Sequence, residues 1–332
     1  MNTTFFSFQK YETPYYLNPC KNFMFIEESL NENTVKIAHG SEIISCFVND
    51  DLSAKVIERL AKSGLRLIAL RCAGFNNVDL KAAEQNKILV VRVPEYSPHA
   101  VAEHAVALLL SLNRKIHKAY NRVREGNFSI DGLTGFDING STVGVIGTGK
   151  IGKLFAGIMI GFGAKVLAFD PFPDLELKRM GVDYLTLDEI WMKSDIISLH
   201  CPLTPDSHHI INADSLAKMK DGAFLINTSR GGLVESKSVI SALKSGKISA
   251  FALDVYEEES GVFFFDHSSD GIKDDILARL MTFPNVLITS HQAFLTKTAL
   301  QNIADQTLSS IENFSLGRKI KNEVICGIQH QD

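Results

Sequence analysis

GVIGTGKIGKLFAGIMIGFGAKVLAFD, residues 144–170, decides how the rest of the chain is read. An apolar run, TVGVI at 142–146, leads into Gly147-Thr148-Gly149-Lys150-Ile151-Gly152. A helix-forming stretch then carries the chain to a second apolar run, KVLAF at 165–169, which stops at Asp170. The GxGxxG spacing answers three physical demands: a tight turn at Gly147, close backbone approach to a pyrophosphate at Gly149, and close helix–strand packing at Gly152. Phosphates would sit on a helix N-terminus, where N–H groups and the helix dipole favour negative charge. Asp170 lies 18 residues beyond Gly152, close to the roughly 20 expected of an acid that binds an adenosine ribose. No arginine stands nearby to hold a 2′-phosphate, so the stretch predicts NAD rather than NADP.

Further strand candidates follow at 196–199 (IISL), 223–227 (AFLIN), 250–253 (AFAL) and 286–289 (VLIT), making six with the two above. Six strands separated by helical stretches suit a Rossmann-type sheet. Before the glycine motif, strands are expected near 3–8, 22–26, 43–48, 66–70 and 88–93. Intervening stretches such as SAKVIERLAKSG have helical spacing and a glycine stop, enough for a small doubly wound domain. Pro98 to Arg124 reads as one long helix, apolar first and basic later, able to carry the chain from one domain to the other. The tail from about 292 returns to helix-forming sequence. The chain is therefore expected to leave one domain, build a second, and come back.

The totals fit this α/β reading. A length of 332 with 45% hydrophobic residues can fill two cores. A net charge of −4 without long charge runs argues against nucleic acid or an anionic membrane as partner. Five scattered cysteines (Cys20, Cys46, Cys72, Cys201, Cys326), never in CxxC spacing, suggest neither a disulfide framework nor a metal cluster. The opening MNTTFFSFQK lacks a basic segment followed by an apolar one, and AVALLLSL at 105–112 is too short to span a bilayer. A cytoplasmic protein is the expectation.

Ligands of open α/β sheets bind outside the carboxyl ends of the strands. The third to sixth strands of the second domain end at His200-Cys201-Pro202, Thr228-Ser229-Arg230-Gly231-Gly232, Asp254 through Glu259, and Ser290-His291. Hydride exchange with a carbonyl needs a proton donor, and histidine is poised for that near neutral pH. A neighbouring carboxylate orients an imidazole and favours its protonated form. The carboxylate of a 2-keto acid needs a guanidinium with two parallel hydrogen bonds. His291, Glu259 and Arg230 can fill these roles, although each could equally be a solvated loop residue taken alone.

Together the segments RCAGFNNVDL (71–80), VPEYSPHAVAEHAV (93–106), GTGKIG, HCPLTP (200–205), NTSRGGLV (227–234), DVYEEES (254–260) and SHQAFLT (290–296) resemble the D-specific 2-hydroxyacid dehydrogenases. The likeness is greatest to their fermentative, NAD-dependent D-lactate dehydrogenase branch. It implies a Rossmann-type cofactor domain, 99–292, inserted into a flavodoxin-like substrate domain formed by 1–98 and 293–332. It implies interconversion of pyruvate and D-lactate, with Arg230 binding the substrate carboxylate and carbonyl, His291 as acid/base and Glu259 as its partner. Backbone N–H groups at Ala73-Gly74 would hold the substrate carboxylate, and Tyr96 with Phe294 would close a small pocket. Cofactor contacts carry over to Lys150, Ile151, Asp170, Cys201, Pro202, Ser207, Thr228, Ser229 and Asp254. A homo-oligomer, dimer or tetramer, is also implied.

The chain departs from the family where many members follow the glutamate with proline. Here Ser260 comes next, so Glu257 and Glu258 compete with Glu259, and Glu259 is the assignment. FFF at 263–265 suits either burial or an interface. Two rival functions remain: a dehydrogenase of the same family for a bulkier keto acid, and a nicotinamide-sensing binding protein on the same scaffold.

Overall fold

Short β-branched and aromatic runs alternate with helices through the chain, and the strands pair in parallel into two sheets. The computed structural model describes residues 1–16, 22–259 and 261–326; Cys20 and Ser260 fall outside them. Two compact units result: Met1–Ser97 together with the chain from Phe294 onward, and Pro98–Ala293.

In the first unit the strands β1 (Thr3–Phe5), β2 (Phe23–Phe25), β3 (Ile43–Cys46), β4 (Leu67–Leu70) and β5 (Leu89–Val91) lie in the order β2-β1-β3-β4-β5. This is the flavodoxin-like order. β3 and β4 are buried at every residue, as apolar runs in a sheet covered on both faces should be. The expected helix within SAKVIERLAKSG forms as Ala54–Lys62. The tail supplies a helix, Lys297–Ser315, whose Ala304 and Ile311 pack with Phe5, Ile43, Leu67 and Val91. Arg71, at the end of β4, is fully buried; its Nε donates to Glu12 at 2.9 Å and its terminal nitrogens to the carbonyls of Ser45 and Phe6.

Among its described residues the second unit holds seven strands, one more than expected: β6 (Thr142–Ile146), β7 (Lys165–Phe169), β8 (Asp183–Tyr184), β9 (Ile196–Leu199), β10 (Ala223–Asn227), β11 (Ile248–Leu253) and β12 (Val286–Ile288). Their order, β12-β11-β10-β9-β6-β7-β8, is the Rossmann order extended by one strand. The extra member, β8, is a two-residue edge strand beside β7.

The single helix expected over Pro98–Arg124 is two helices, Pro98–Asn113 and Ile116–Arg124. Lys115 sits in the left-handed region at φ 51° between them. The break is made by the segment that follows. Asn113 takes the Phe136 N–H and gives its amide to the Phe136 carbonyl, while Lys115 Nζ reaches the carbonyls of Gly132 and Thr134. Among the described residues no helix is long and apolar enough to cross a membrane.

Candidate active site

The glycine motif behaves as its spacing demands. Gly147 has φ +90°, and a Cβ there would lie 2.6 Å from the Cys201 nitrogen. At Gly152 an added Cβ would fall 2.0 Å from the Gly147 carbonyl oxygen, so the helix Lys150–Gly161 rests directly on the turn. Gly149, the N-cap of that helix, differs: an added Cβ would meet nothing within 4 Å, and no side chain caps the helix. Open space at a helix N-terminus without a side-chain cap is what a pyrophosphate requires.

Asp170 follows β7 directly. Its Oδ2 accepts from the Thr148 N–H at 2.6 Å and the Thr148 hydroxyl at 3.1 Å, and its Oδ1 accepts from the Phe172 N–H at 2.8 Å. Across the sheet, the Thr228 hydroxyl at the end of β10 is buried without a hydrogen-bond partner. A buried orphan hydroxyl is costly unless a ligand completes it, so the residues present fit a dinucleotide. Ser229 donates to the Cys201 carbonyl at 2.7 Å, and Ser207 closes the turn after Pro202 by donating to that proline's carbonyl at 2.7 Å. Burial pushes the Cys201 thiol up to about 11, which leaves it protonated rather than nucleophilic. His200 beside it is partly buried, its ring in contact with the Ser198 hydroxyl and the Phe155 ring. Desolvation lowers its pKa to about 3. It is a neutral structural histidine.

The three side chains singled out for chemistry all lie in the second unit. His291 Nδ1 meets Glu259 Oε1 at 2.9 Å, with both side chains about three-quarters covered. The other oxygen of Glu259 accepts the Tyr256 N–H at 3.0 Å, which fixes the carboxylate. Geometry separates the three glutamates. Glu257 pairs with His209 at 2.5 Å and accepts from the Ser236 hydroxyl at 3.0 Å, while Glu258 is exposed. Only Glu259 faces His291. Arg230 donates from one terminal nitrogen to the Ser229 carbonyl at 2.9 Å, a small part of a guanidinium's five donors. Its loop is pressed onto the 256–257 peptide, because a Cβ on Gly231 would lie 2.1 Å from the Tyr256 carbonyl carbon. Of the FFF run, Phe263 is in the core, the Phe264 ring lies 5.9 Å from that of His291, and Phe265 is exposed.

Asp254 builds the loop that carries His291. Its fully buried carboxylate accepts from the Thr289 hydroxyl at 2.5 Å and from the N–H groups of Gln292 and Ala293 at 2.9 Å each. Burial pushes this carboxyl up, yet His104, Thr289 and the two N–H groups together hold it below its ordinary value. His104, on the helix Pro98–Asn113, contacts the Thr289 hydroxyl at 3.0 Å. That hydroxyl gives its one proton to Asp254, so His104 must donate from Nε2. Neither His104 nor Thr289 is identifiable as a functional residue from the sequence. Their signal is only spatial.

The other candidate substrate residues, Ala73, Gly74, Tyr96 and Phe294, belong to the first unit. Ala73 and Gly74 form a half-buried loop after β4; the Ala73 carbonyl takes a hydrogen bond from Arg92 at 2.9 Å. The Tyr96 and Phe294 rings meet edge-on at 6.2 Å, and the Phe47 ring lies 5.7 Å from that of Phe294. This brings together an aromatic pair that is nearly two hundred positions apart in the chain.

Residues 106–293 match the family described as D-isomer specific 2-hydroxyacid dehydrogenase, NAD binding domain. A 2-hydroxyacid dehydrogenase homolog of Haemophilus influenzae is 51% identical over 98% of this chain and 99% of its own. The D-lactate dehydrogenase of Escherichia coli is 48% identical over 98% of this chain and 100% of its own. Among solved structures, the pyruvate reductase of Chlamydomonas reinhardtii superposes with a TM-score of 0.92 at 45% identity, covering 97% of this chain and 98% of that one.

Proposed function

This chain belongs to the D-isomer specific 2-hydroxyacid dehydrogenases and is an NAD-dependent enzyme of that family, and we propose that its reaction is the interconversion of pyruvate and D-lactate. In this reading Arg230 binds the substrate carboxylate and carbonyl, His291 is the acid/base, and Glu259 orients it. The inserted unit, 99–292, is the cofactor domain, and the flanking segments, 1–98 and 293–332, form the substrate domain.

One observation carries the reading: the 2.9 Å contact between His291 Nδ1 and Glu259 Oε1. With Nδ1 engaged by the carboxylate, Nε2 is the ring nitrogen left to exchange a proton with the substrate oxygen. Bound NAD supplies the hydride chemistry. The guanidinium of Arg230 offers the paired donors that a carboxylate and an adjacent carbonyl oxygen accept. Ala73, Gly74, Tyr96 and Phe294 are the first unit's candidate substrate contacts, the aromatic pair favouring a small side chain. Gly147, Gly149, Lys150, Ile151 and Gly152 take the pyrophosphate, Asp170 the ribose, and Cys201, Pro202, Ser207, Thr228, Ser229 and Asp254 line the rest.

Replacing His291 with Ala is expected to lower kcat by about 10²–10⁴-fold, the usual worth of a general acid. Arg230→Ala should raise KM for the keto acid and slow turnover as well. Comparing kcat/KM for pyruvate, phenylpyruvate and a branched 2-keto acid, then D- with L-lactate, tests the substrate. A parent-like kcat in His291→Ala would overturn the acid role, and NADH binding without pyruvate-dependent oxidation would favour the sensor.

We propose also that the protein is a homo-oligomer. The helix Ile116–Arg124 buries none of its residues and exposes Ile116, Tyr120 and Val123, and the segment after it exposes 74% of Phe128 and 80% of Ile130. Ile116, Tyr120 and Val123 stand at i, i+4 and i+7, one apolar stripe of the helix, and such exposed apolar surface suits an interface. Sedimentation equilibrium finding a monomer would contradict it.

A further inference from the structure

We propose that Thr148 and Tyr184 set this enzyme's preference for NAD over NADP by locking the Asp170 carboxylate in place, an inference that rests on Asp170 being the acid that meets the adenosine ribose.

Four groups form a directed chain of hydrogen bonds. The Asp174 N–H donates to the Tyr184 hydroxyl at 2.9 Å, and that hydroxyl donates to Thr148 Oγ1 at 2.9 Å. Thr148 Oγ1 donates in turn to Asp170 Oδ2 at 3.1 Å. Each hydroxyl has one proton to give, so the order can run only toward the carboxylate. With the Thr148 N–H at 2.6 Å, both lone pairs of Oδ2 are taken. Oδ1 receives the Phe172 N–H and keeps one acceptor direction for a ribose hydroxyl.

A carboxylate held this way cannot turn aside. A 2′-phosphate brings about −1.5 to −2 charges at neutral pH, and it would meet a fixed negative group. Two lysines of this region are already engaged. Lys153 pairs with Asp174 at 3.0 Å and Glu176 at 2.7 Å, and Lys178 lies over the Tyr184 ring at 5.5 Å. Tyr184 itself stands on β8, so the short edge strand gains a purpose: it brings a hydroxyl to the glycine loop.

Calorimetric titration of NADH and of NADPH into the full chain gives the ratio of their dissociation constants without any turnover. Asp170→Asn should collapse the preference for NADH. Thr148→Val, which keeps the N–H and the shape but loses the hydroxyl, should lower it about tenfold, the low end for a hydrogen bond to a charged group. Tyr184→Phe should lower it by less. The double variant should match Thr148→Val alone, because both changes act through one hydroxyl. Thr148→Ser should restore the parent preference. The proposal is overturned if Asp170→Asn relaxes the preference while neither Thr148→Val nor Tyr184→Phe does. A parent-like ratio in Asp170→Asn would instead refute the ribose role itself, and the proposal with it. Should Thr148→Val not fold, Tyr184→Phe decides alone.

Discussion

Gly231→Ala would test whether the arginine loop and the glutamate loop work as one piece. The added Cβ would lie 2.1 Å from the carbonyl carbon and oxygen of Tyr256 and 2.5 Å from the Glu257 nitrogen. Those are backbone atoms, which have no rotamer to swing away. The shortest of these contacts is 0.9 Å inside the 3.0 Å that real Cβ atoms respect. The two loops must therefore part by about that much. Neither is free to give way alone: the Arg230 and Gly232 carbonyls accept from Asn227 and the His209 N–H, while Glu257 is tied to His209 and Ser236, and Glu259 to Tyr256 and His291.

A displacement near 1 Å between catalytic groups costs about 10²-fold in rate, so if these loops carry the proposed roles, kcat/KM for pyruvate, the proposed substrate, should fall by roughly that factor. Overpacking of this kind destabilises by about 1–3 kcal/mol, worth roughly 2–12 °C in Tm for a domain of this size. NADH affinity should hold, since Gly149 and Asp170 lie on other loops. Gly232→Ala is the control: its Cβ would meet the methyl carbons of Leu203 at 3.0 and 3.3 Å, which can move, and the His208 ring at an ordinary 3.7 Å. Steady-state kinetics, NADH titration and thermal unfolding of both variants decide the matter. The reasoning fails if Gly231→Ala keeps kcat/KM within about threefold of the parent, or if Gly232→Ala loses as much.

Two further outcomes are expected. Gly149→Ala should leave Tm unchanged, its Cβ meeting nothing, yet weaken NADH binding measurably in a fluorescence titration; Gly152→Ala, 2.0 Å from a carbonyl oxygen, should lower Tm outright. His200 tests the pH response. Its pKa is about 3 folded against 6.5 free, so the unfolded chain takes the proton first as pH falls. The stability it contributes is present above pH 6.5 and lost on the way down to 3, about 1.4 kcal/mol being gone at pH 5.5. Urea unfolding at pH 7.5 and 5.5 should show that loss in the parent and lack it in His200→Asn; equal losses would disprove a ring held neutral by desolvation.

Legibility followed the range of the forces involved. The glycine motif was readable because a positive φ and two close approaches are local demands that only glycine meets, and Gly147 and Gly152 meet them. All the expected strands form, since apolar runs bounded by turns carry their own signal. β8 was missed because Asp183–Tyr184 has neither length nor alternation, and exists only because β7 offers an edge. The long helix was misread because its break depends on Lys115 reaching the carbonyls of Gly132 and Thr134, partners further along the chain. Three consecutive glutamates look alike in sequence; folding sends Glu257 to His209 and Glu259 to His291.

His291 shows why a residue as remote as His104 belongs to the story. Its backbone sits at φ 54°, a conformation that costs a side-chain-bearing residue about 1–3 kcal/mol and persists only where its surroundings over-determine it. Here they do. The His291 N–H donates to the Asp254 carbonyl at 2.7 Å, and the next two N–H groups donate to that residue's carboxylate. One aspartate thus grips the turn from both its main chain and its side chain. Buried, it would favour its neutral form, and a neutral acid would lose acceptor capacity on one oxygen; His104 and Thr289 supply the donors that keep it charged. The imidazole's position therefore depends on a charge it does not touch, and that charge depends on a histidine from the unit's first helix.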